Sequence, residues 1–267
     1  MNNEQKTEQA LNEPQENGQD KYEMKNAITG SDLGNEVLNL VAEYGYLTSE
    51  EIQMYVGDRR KAFNIIGYLR EQDKLKTFDT HLIPKKGYYI PAEVRRMIGQ
   101  LGTVPHIEKF FPSDYRQTRH FHHSNLVKVR LLLEKIFEPY NAKFKTENQI
   151  RKVEKRSSVV DGILVYEKDR TLKKMGVEVE LTLKNSTARR RKVKKLLVGE
   201  LKNLDNIIIF YSIEVIKARL KADIRNYIEP GVPIFFIQIE DFFKNRKEVV
   251  ASDLGLADNK RQIFKGL

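Results

Sequence analysis

Asp161, Glu178, Glu180 and Lys184 are the residues whose types and spacing could do chemistry. Asp161 interrupts the apolar run SVVDGILVYE and is followed by Gly162, and both are poor choices for the middle of a strand. In GVEVELTLK, Glu178, Glu180, Thr182 and Lys184 alternate with Val177, Val179, Leu181 and Leu183. A strand there sets the two acids, the hydroxyl and the ammonium on one face and the aliphatics on the other. If the two strands pair across the charged turn EKDRTLKKMG, three carboxylates converge on one face. Like charges at that range repel unless a cation sits between them. A hard divalent ion, Mg²⁺ or Mn²⁺, takes oxygen ligands of this kind. Held by Asp161, Glu178 and Glu180, it would polarise a phosphate and activate water for in-line attack. Lys184 on the same face could orient that water or stabilise developing negative charge. Glu147, in KTENQIRK, lies upstream where a further ligand could come from. The plainer alternative is a solvated sheet face with cross-strand ion pairs, each worth roughly 0.2–1 kcal/mol.

A dense basic run stands close by in sequence. Six basic residues occupy the seven positions 189–195, and Arg189, Arg190, Arg191 and Lys192 are its candidate phosphate contacts. Such a run beside a carboxylate cluster would hold a nucleic-acid backbone, with strong salt dependence, unless it is only the polar face of a helix. The 267-residue chain carries a net charge of +10. Residues 1–30 hold six acidic and three basic side chains, so the remainder carries +13. That excess points to a polyanionic partner, most simply double-stranded DNA. There is no cysteine, which excludes disulfides and thiolate metal sites and fits a reducing compartment. No apolar run approaches the roughly 18 residues of a membrane span, and the N-terminus has no signal-peptide core. The expectation is a soluble cytoplasmic protein with no membrane partner.

The elements that must position these residues can be followed along the chain. Residues 1–30 have few apolar side chains to bury and read as a disordered tail. Leu33, Val37, Leu40, Val41 and Tyr44 follow Ser31-Asp32 at helical spacing, and Gly45 ends that helix. Thr48 with Glu51 three residues on is a capping-box signature. RRKAFNIIGYLREQDKL is a basic helix with Ala62, Ile65, Ile66 and Leu69 as its stripe, and KLKTFDTHLIPKKGYYIP reads as two short strands around a basic turn. Helix, short helix, basic helix, then hairpin is the order of a winged helix-turn-helix, here over 31–92. Arg59, Arg60, Lys61 and Asn64 would be its reading face, with Lys85 and Lys86 on the wing. A small helical protein-interaction module is the alternative. Residues 93–117 read as a connector. The segment 118–245 reads as an α/β domain with a mixed sheet: a long helix over 119–138, strands at 142–150, 158–167 and 176–184, a helix from Ser186, then the apolar strand IIIFYS, a helix and a last strand. Residues 246–267 read as a tail.

The order Asp161, then an acidic residue, one spacer and a further polar residue on the next strand resembles the PD-(D/E)xK nuclease superfamily. Val160 stands where that pattern has proline, and Glu180 where it has lysine; Lys184 or Lys192 could supply a migrated lysine. The combination of winged helix, HSNLVKVR (123–130) with its histidine, upstream Glu, DG and ELTLKN is similar to the replication-relaxation family, plasmid and mobile-element proteins that include MobC-type mobilisation proteins. The resemblance spans roughly 33–240. It implies His123, Glu147, Asp161, Glu178, Glu180 and Lys184 as site positions, although His120 and His122 offer neighbouring registers. It also implies mobilisation or replication proteins as partners. Three readings stay open: a DNA-binding protein with a nuclease-like domain, an active Mg²⁺-dependent endonuclease or nickase, and a transcriptional regulator with a silent nuclease fold. An RNA-binding module lacks an aromatic stacking motif to support it.

Overall fold

The computed structural model describes residues 32–82, 86–104, 106–154, 160–195, 204–225, 233–244, 250–253 and 260–262. The expected tail over 1–30 and Lys85 lie outside the described residues. The fold is mixed α+β, with helices around one small and one large sheet.

Helix α1 (Asp32–Tyr44) buries Val37, Leu38 and Val41, and Gly45 at φ 83° turns the chain out of it. Strand β1 (Tyr46–Thr48) leads into α2 (Ser49–Val56), whose start is fixed by Glu51 accepting the Thr48 backbone N–H at 2.6 Å. Asp58 accepts the Lys61 N–H at 2.7 Å and so caps α3 (Arg59–Glu71). That helix buries Ala62, Ile66 and Leu69 and leaves Arg59, Arg60, Lys61 and Asn64 in solvent. Strands β2 (Lys76–Asp79) and β3 (Lys86–Tyr89) form an antiparallel pair, and β1 joins β3, giving the order β1-β3-β2. Within the stretch expected to be a connector, α4 (Ala92–Leu101) returns Val94 and Ile98 to the same core.

Helix α5 (Gln117–Ile136) belongs to both halves of the molecule. Val127 and Leu131 enter the N-terminal core, while Val129, Leu132 and Leu133 enter the core of the large sheet. Arg130, between these stripes, pairs with Glu43 of α1 at 2.8 Å and with Glu134 at 3.1 Å.

The large sheet comprises β4 (Lys143–Thr146), β5 (Gly162–Lys168), β6 (Thr171–Glu180), β7 (Asn206–Tyr211), β8 (Ile234–Gln238), β9 (Val250–Asp253) and β10 (Lys260–Gln262). Its seven strands run in the order β10-β9-β8-β7-β6-β5-β4. Strands β6, β7 and β8 are parallel, and the outer pairings are antiparallel. Four further helices are α6 (Glu147–Glu154), α7 (Ser186–Lys195), α8 (Glu214–Arg225) and α9 (Ile239–Lys244). One sheet face, with Val177, Val179, Ile208 and Phe210, packs on α5; the other, with Ile207 and Ile209, packs on Val193 of α7 and on Ile216 and Leu220 of α8. Strand β7 is buried on both faces, as its unbroken apolar run requires.

Four element boundaries differ from expectation. Strand β6 covers 171–180 rather than 176–184, because the hairpin turn is short: Asp169 and Arg170 sit at φ 51° and 58°, the two left-handed residues of a tight hairpin. Its ladder with β7 ends at Glu180↔Tyr211, so Thr182 and Lys184 lie beyond the sheet. The expected strand over 142–150 stops at Thr146, where Gln149 accepts the Thr146 N–H at 2.8 Å and starts α6. The expected tail over 246–267 contributes β9 and β10 to the sheet edge.

Candidate functional site

The site forms where β5 begins and β6 ends. Gly162 pairs with Val177, and one step further out Asp161 leaves the ladder and turns its side chain back on β6. Asp161 Oδ2 accepts the Val179 backbone N–H at 2.8 Å, so the carboxylate itself continues the strand pairing. The glycine that follows is required by packing: a Cβ at Gly162 would lie 2.1 Å from Phe144 Cζ.

Glu178 and Glu180 share a sheet face with Asp161, yet that face is dry. Glu178 is 2% exposed and Glu180 5%. Helix α7 covers them and supplies the compensating charge. Lys192 Nζ lies 2.5 Å from Glu178 Oε2 and also pairs with Glu180 Oε1. Lys184, beyond the strand end, reaches back to Glu180 Oε1 at 2.8 Å. From the opposite side α5 contributes His122, whose Nε2 lies 3.3 Å from Asp161 Oδ2 and 3.1 Å from the Val179 carbonyl oxygen. Both partners accept, so Nε2 carries the proton.

The protonation of the cluster follows from burial and charge together. Burial pushes Asp161 up, but the His122 hydrogen bond, the Lys192 ammonium and the Val179 amide overcome it and hold the carboxyl at about 2. Glu178 goes the other way. Burial first, and the Asp161 charge second, push it up to about 8 against the pull of Lys192. His122 is raised by its bond to Asp161, against burial. Lys192 is held well above the ordinary range, because the attraction of Glu178, Asp161 and Glu180 outweighs its own burial.

The sequence-derived candidates divide clearly. Asp161, Glu178 and Glu180 come together, and Lys192 joins them from the basic run. The Lys184 ammonium pairs with Glu180, and its carbonyl accepts from Arg189 at 3.3 Å. Glu147, at the start of α6, pairs with Arg151 and lies near Asp161 along a cleft rather than in the cluster. His123 Nε2 bonds the Tyr46 carbonyl at 3.0 Å and burial lowers it to about 4; it lines the cleft, while the imidazole that reaches the Asp161 carboxylate is that of His122. The run 189–195 does not present one continuous phosphate-binding strip either. Arg189 pairs with buried Asp223 of α8, the exposed Arg190 also reaches Asp223 at 3.5 Å, Lys192 faces the carboxylates, and Arg191 faces solvent. The sequence offered His122 only as a neighbouring register and did not point to Asp223 or to the Arg130–Glu43 pair. A lone acid in KARLKADIR was the available signal for Asp223.

Among the described residues no group of three or more His, Asp and Glu side chains is arranged as a metal set. Glu180 is taken up by Lys184 and Lys192, which removes it from the expected ligand trio. Asp161 and Glu178 remain. Their oxygens are of the kind a hard divalent cation takes, and Lys192 Nζ already lies 2.5 Å from Glu178.

A cleft of about 760 Å³ opens beside Asp161 and His122. Its other walls come from Tyr46 of the small sheet and from the stretch 108–119, including Lys109, Arg116 and Arg119. No protein-family model and no curated protein matches the chain.

Proposed function

We propose that the chain is a DNA-binding protein whose second half is a nuclease-like unit that cuts or nicks a phosphodiester with the help of a divalent cation. The N-terminal half has the element order of a winged helix-turn-helix, with α3 as its reading helix. Exposed Arg59, Arg60, Lys61 and Asn64 are then the phosphate and base-edge contacts, and Lys86 a backbone contact from the hairpin. One observation carries the nuclease-like reading: Lys192, from α7, lies 2.5 Å from Glu178 in the same cluster as Asp161. A nuclease of the PD-(D/E)xK type needs two carboxylates and a lysine. Here Glu180 stands at the usual lysine position, and a helix residue supplies the ammonium.

In this reading Asp161 and Glu178 hold Mg²⁺ or Mn²⁺. Such an ion, when bound, would supply polarisation of the phosphate and a more acidic water. Lys192 balances the carboxylates and stands ready to stabilise negative charge on the phosphate. His122 fixes the orientation of Asp161 through Nε2. A role in plasmid mobilisation or replication, with partner proteins of those systems, rests on the resemblance of the sequence motifs.

The double engagement of Glu180 by Lys184 and Lys192 favours a second reading, a binding protein or regulator whose nuclease-like half is silent. Incubating supercoiled plasmid with the protein in Mg²⁺, Mn²⁺ or EDTA separates the two. Metal-dependent nicking that Asp161→Ala and Lys192→Met each abolish supports the nuclease. Plasmid binding without nicking in either metal, and no metal-induced rise in Tm, leaves the silent reading.

A further inference from the structure

The connector does more than join the two halves. We propose that the cleft between the small sheet, the 108–119 stretch and the Asp161–His122 end of the large sheet binds an unpaired segment of the DNA strand. The inference rests on the DNA-binding reading above and names the substrate form that the site takes.

Size is the first argument. About 760 Å³ falls in the roughly 300–1,000 Å³ range of small-molecule pockets. It has room for a few unpaired nucleotides. It does not have room for a double helix, whose major groove alone is about 12 Å wide.

Charge is the second. The acids on the cleft walls are already engaged: Glu43 by Arg130 and Gln149, Glu108 by His106 and Asn148, Glu147 by Arg151. The cations are not. Lys109, Arg116 and Arg119 are exposed, and none has an ion pair among the described residues. Arg116 is instead propped by the Ser113 and Tyr115 carbonyls at 3.0 and 2.9 Å, which orients its guanidinium without neutralising it.

Chemistry of the walls is the third. Tyr115 is the accessible aromatic ring of the cleft wall, half-buried, backed by the buried rings of Tyr46 and Phe110 and held by its hydroxyl to the Thr80 carbonyl at 2.7 Å. Cations that follow a backbone, combined with fixed aromatic rings, are the components of single-strand recognition. A strand lying along Arg116 and Arg119 ends at Asp161, where the proposed chemistry takes place.

Fluorescence anisotropy with the full-length protein in EDTA tests this, using a labelled short oligothymidylate and, separately, a labelled duplex. The double variant Arg116→Glu/Arg119→Glu is expected to weaken oligothymidylate binding about tenfold or more and to leave duplex affinity within about threefold. Lys109→Glu, on a separate segment of the wall, gives an independent second variant with the same signature. Arg60→Ala is expected to do the reverse. Unchanged oligothymidylate affinity in both cleft variants overturns the proposal, as does tighter binding of oligouridylate, which would assign the cleft to RNA. Since EDTA prevents cleavage, a failure of the nuclease reading shows only in the plasmid assay and leaves these outcomes intact.

Discussion

Lys192 Nζ lies 2.5 Å from Glu178 Oε2, joining helix α7 to a carboxyl that the sheet alone would leave buried and uncompensated. Removing the ammonium while keeping the side-chain volume, as in Lys192→Met, exposes that dependence. Breaking a buried ion pair by deleting one partner typically costs about 3–5 kcal/mol. Lys192 is partly exposed at 30% and Glu178 can take up a proton, so about 2–3 kcal/mol is expected, read as a lower urea midpoint. Unchanged stability would show that the ammonium does not compensate the cluster.

The same carboxyl gives the protein an unusual pH response. Glu178 is pushed from 4.5 up to about 8, so the folded state holds its proton more tightly than the unfolded chain does. That contribution is complete below about 4.5 and is lost as the pH rises through about 8. Asp161 acts oppositely: held at about 2 instead of 3.8, it contributes above 3.8 and loses that contribution as the pH falls through about 2. Between about pH 5 and 8 the wild-type protein should therefore lose on the order of 1–3 kcal/mol relative to Glu178→Gln, whose amide stands in for the protonated acid. Parallel stability curves for the two proteins would refute this.

Gly162→Ala should destabilise by about 1–3 kcal/mol, because the new methyl group meets the Phe144 ring at 2.1 Å. Adding Phe144→Leu should recover part of the loss. Thermal unfolding of the single and double variants measures the coupling, and strictly additive effects would rule out the contact as the cause.

Arg130→Met should weaken the joint between the two cores. The guanidinium is buried against Glu43 and Glu134 and stacks 5.0 Å from the Tyr44 ring. Calorimetry should show the single unfolding transition broaden or split, with a loss of about 2–4 kcal/mol. One sharp transition at the wild-type Tm would contradict that role.

On α3, the proposed reading helix, Arg60→Ala should reduce duplex affinity and lower the slope of log K against log salt by about 0.9, the contribution of one phosphate contact. An unchanged slope at several salt concentrations would remove Arg60 from the interface.

Local signals in the sequence locate most of the fold. The Thr48–Glu51 capping box, the Asp58 cap and the apolar run of β7 each carry their structural meaning within a few residues. The end of β6 was not legible in this way. Polar–apolar alternation continues to Lys184, but the strand stops at Glu180, where its partner β7 ends. Within the site, Asp161, Glu178 and Glu180 stand out because acids are conspicuous among aliphatics. The cations do not stand out. Six basic residues within seven positions hide which one turns inward, and three nearby histidines on one helix hide which one meets Asp161. Both choices depend on how α7 and α5 are rotated against the sheet, which is decided by packing over long sequence separations.

Helix α5 places consecutive residues in two different halves: His122 bonds the Asp161 end of the large sheet, and His123 bonds Tyr46 of the small one. Any attempt to cut the protein into modules therefore meets a shared beam. A fragment ending before residue 117 loses Val127 and Leu131 from its core, and one beginning there leaves the same two side chains bare. The halves should be inherited together, and a graft of the N-terminal half should succeed only when the crossover keeps α5 with both of its neighbours.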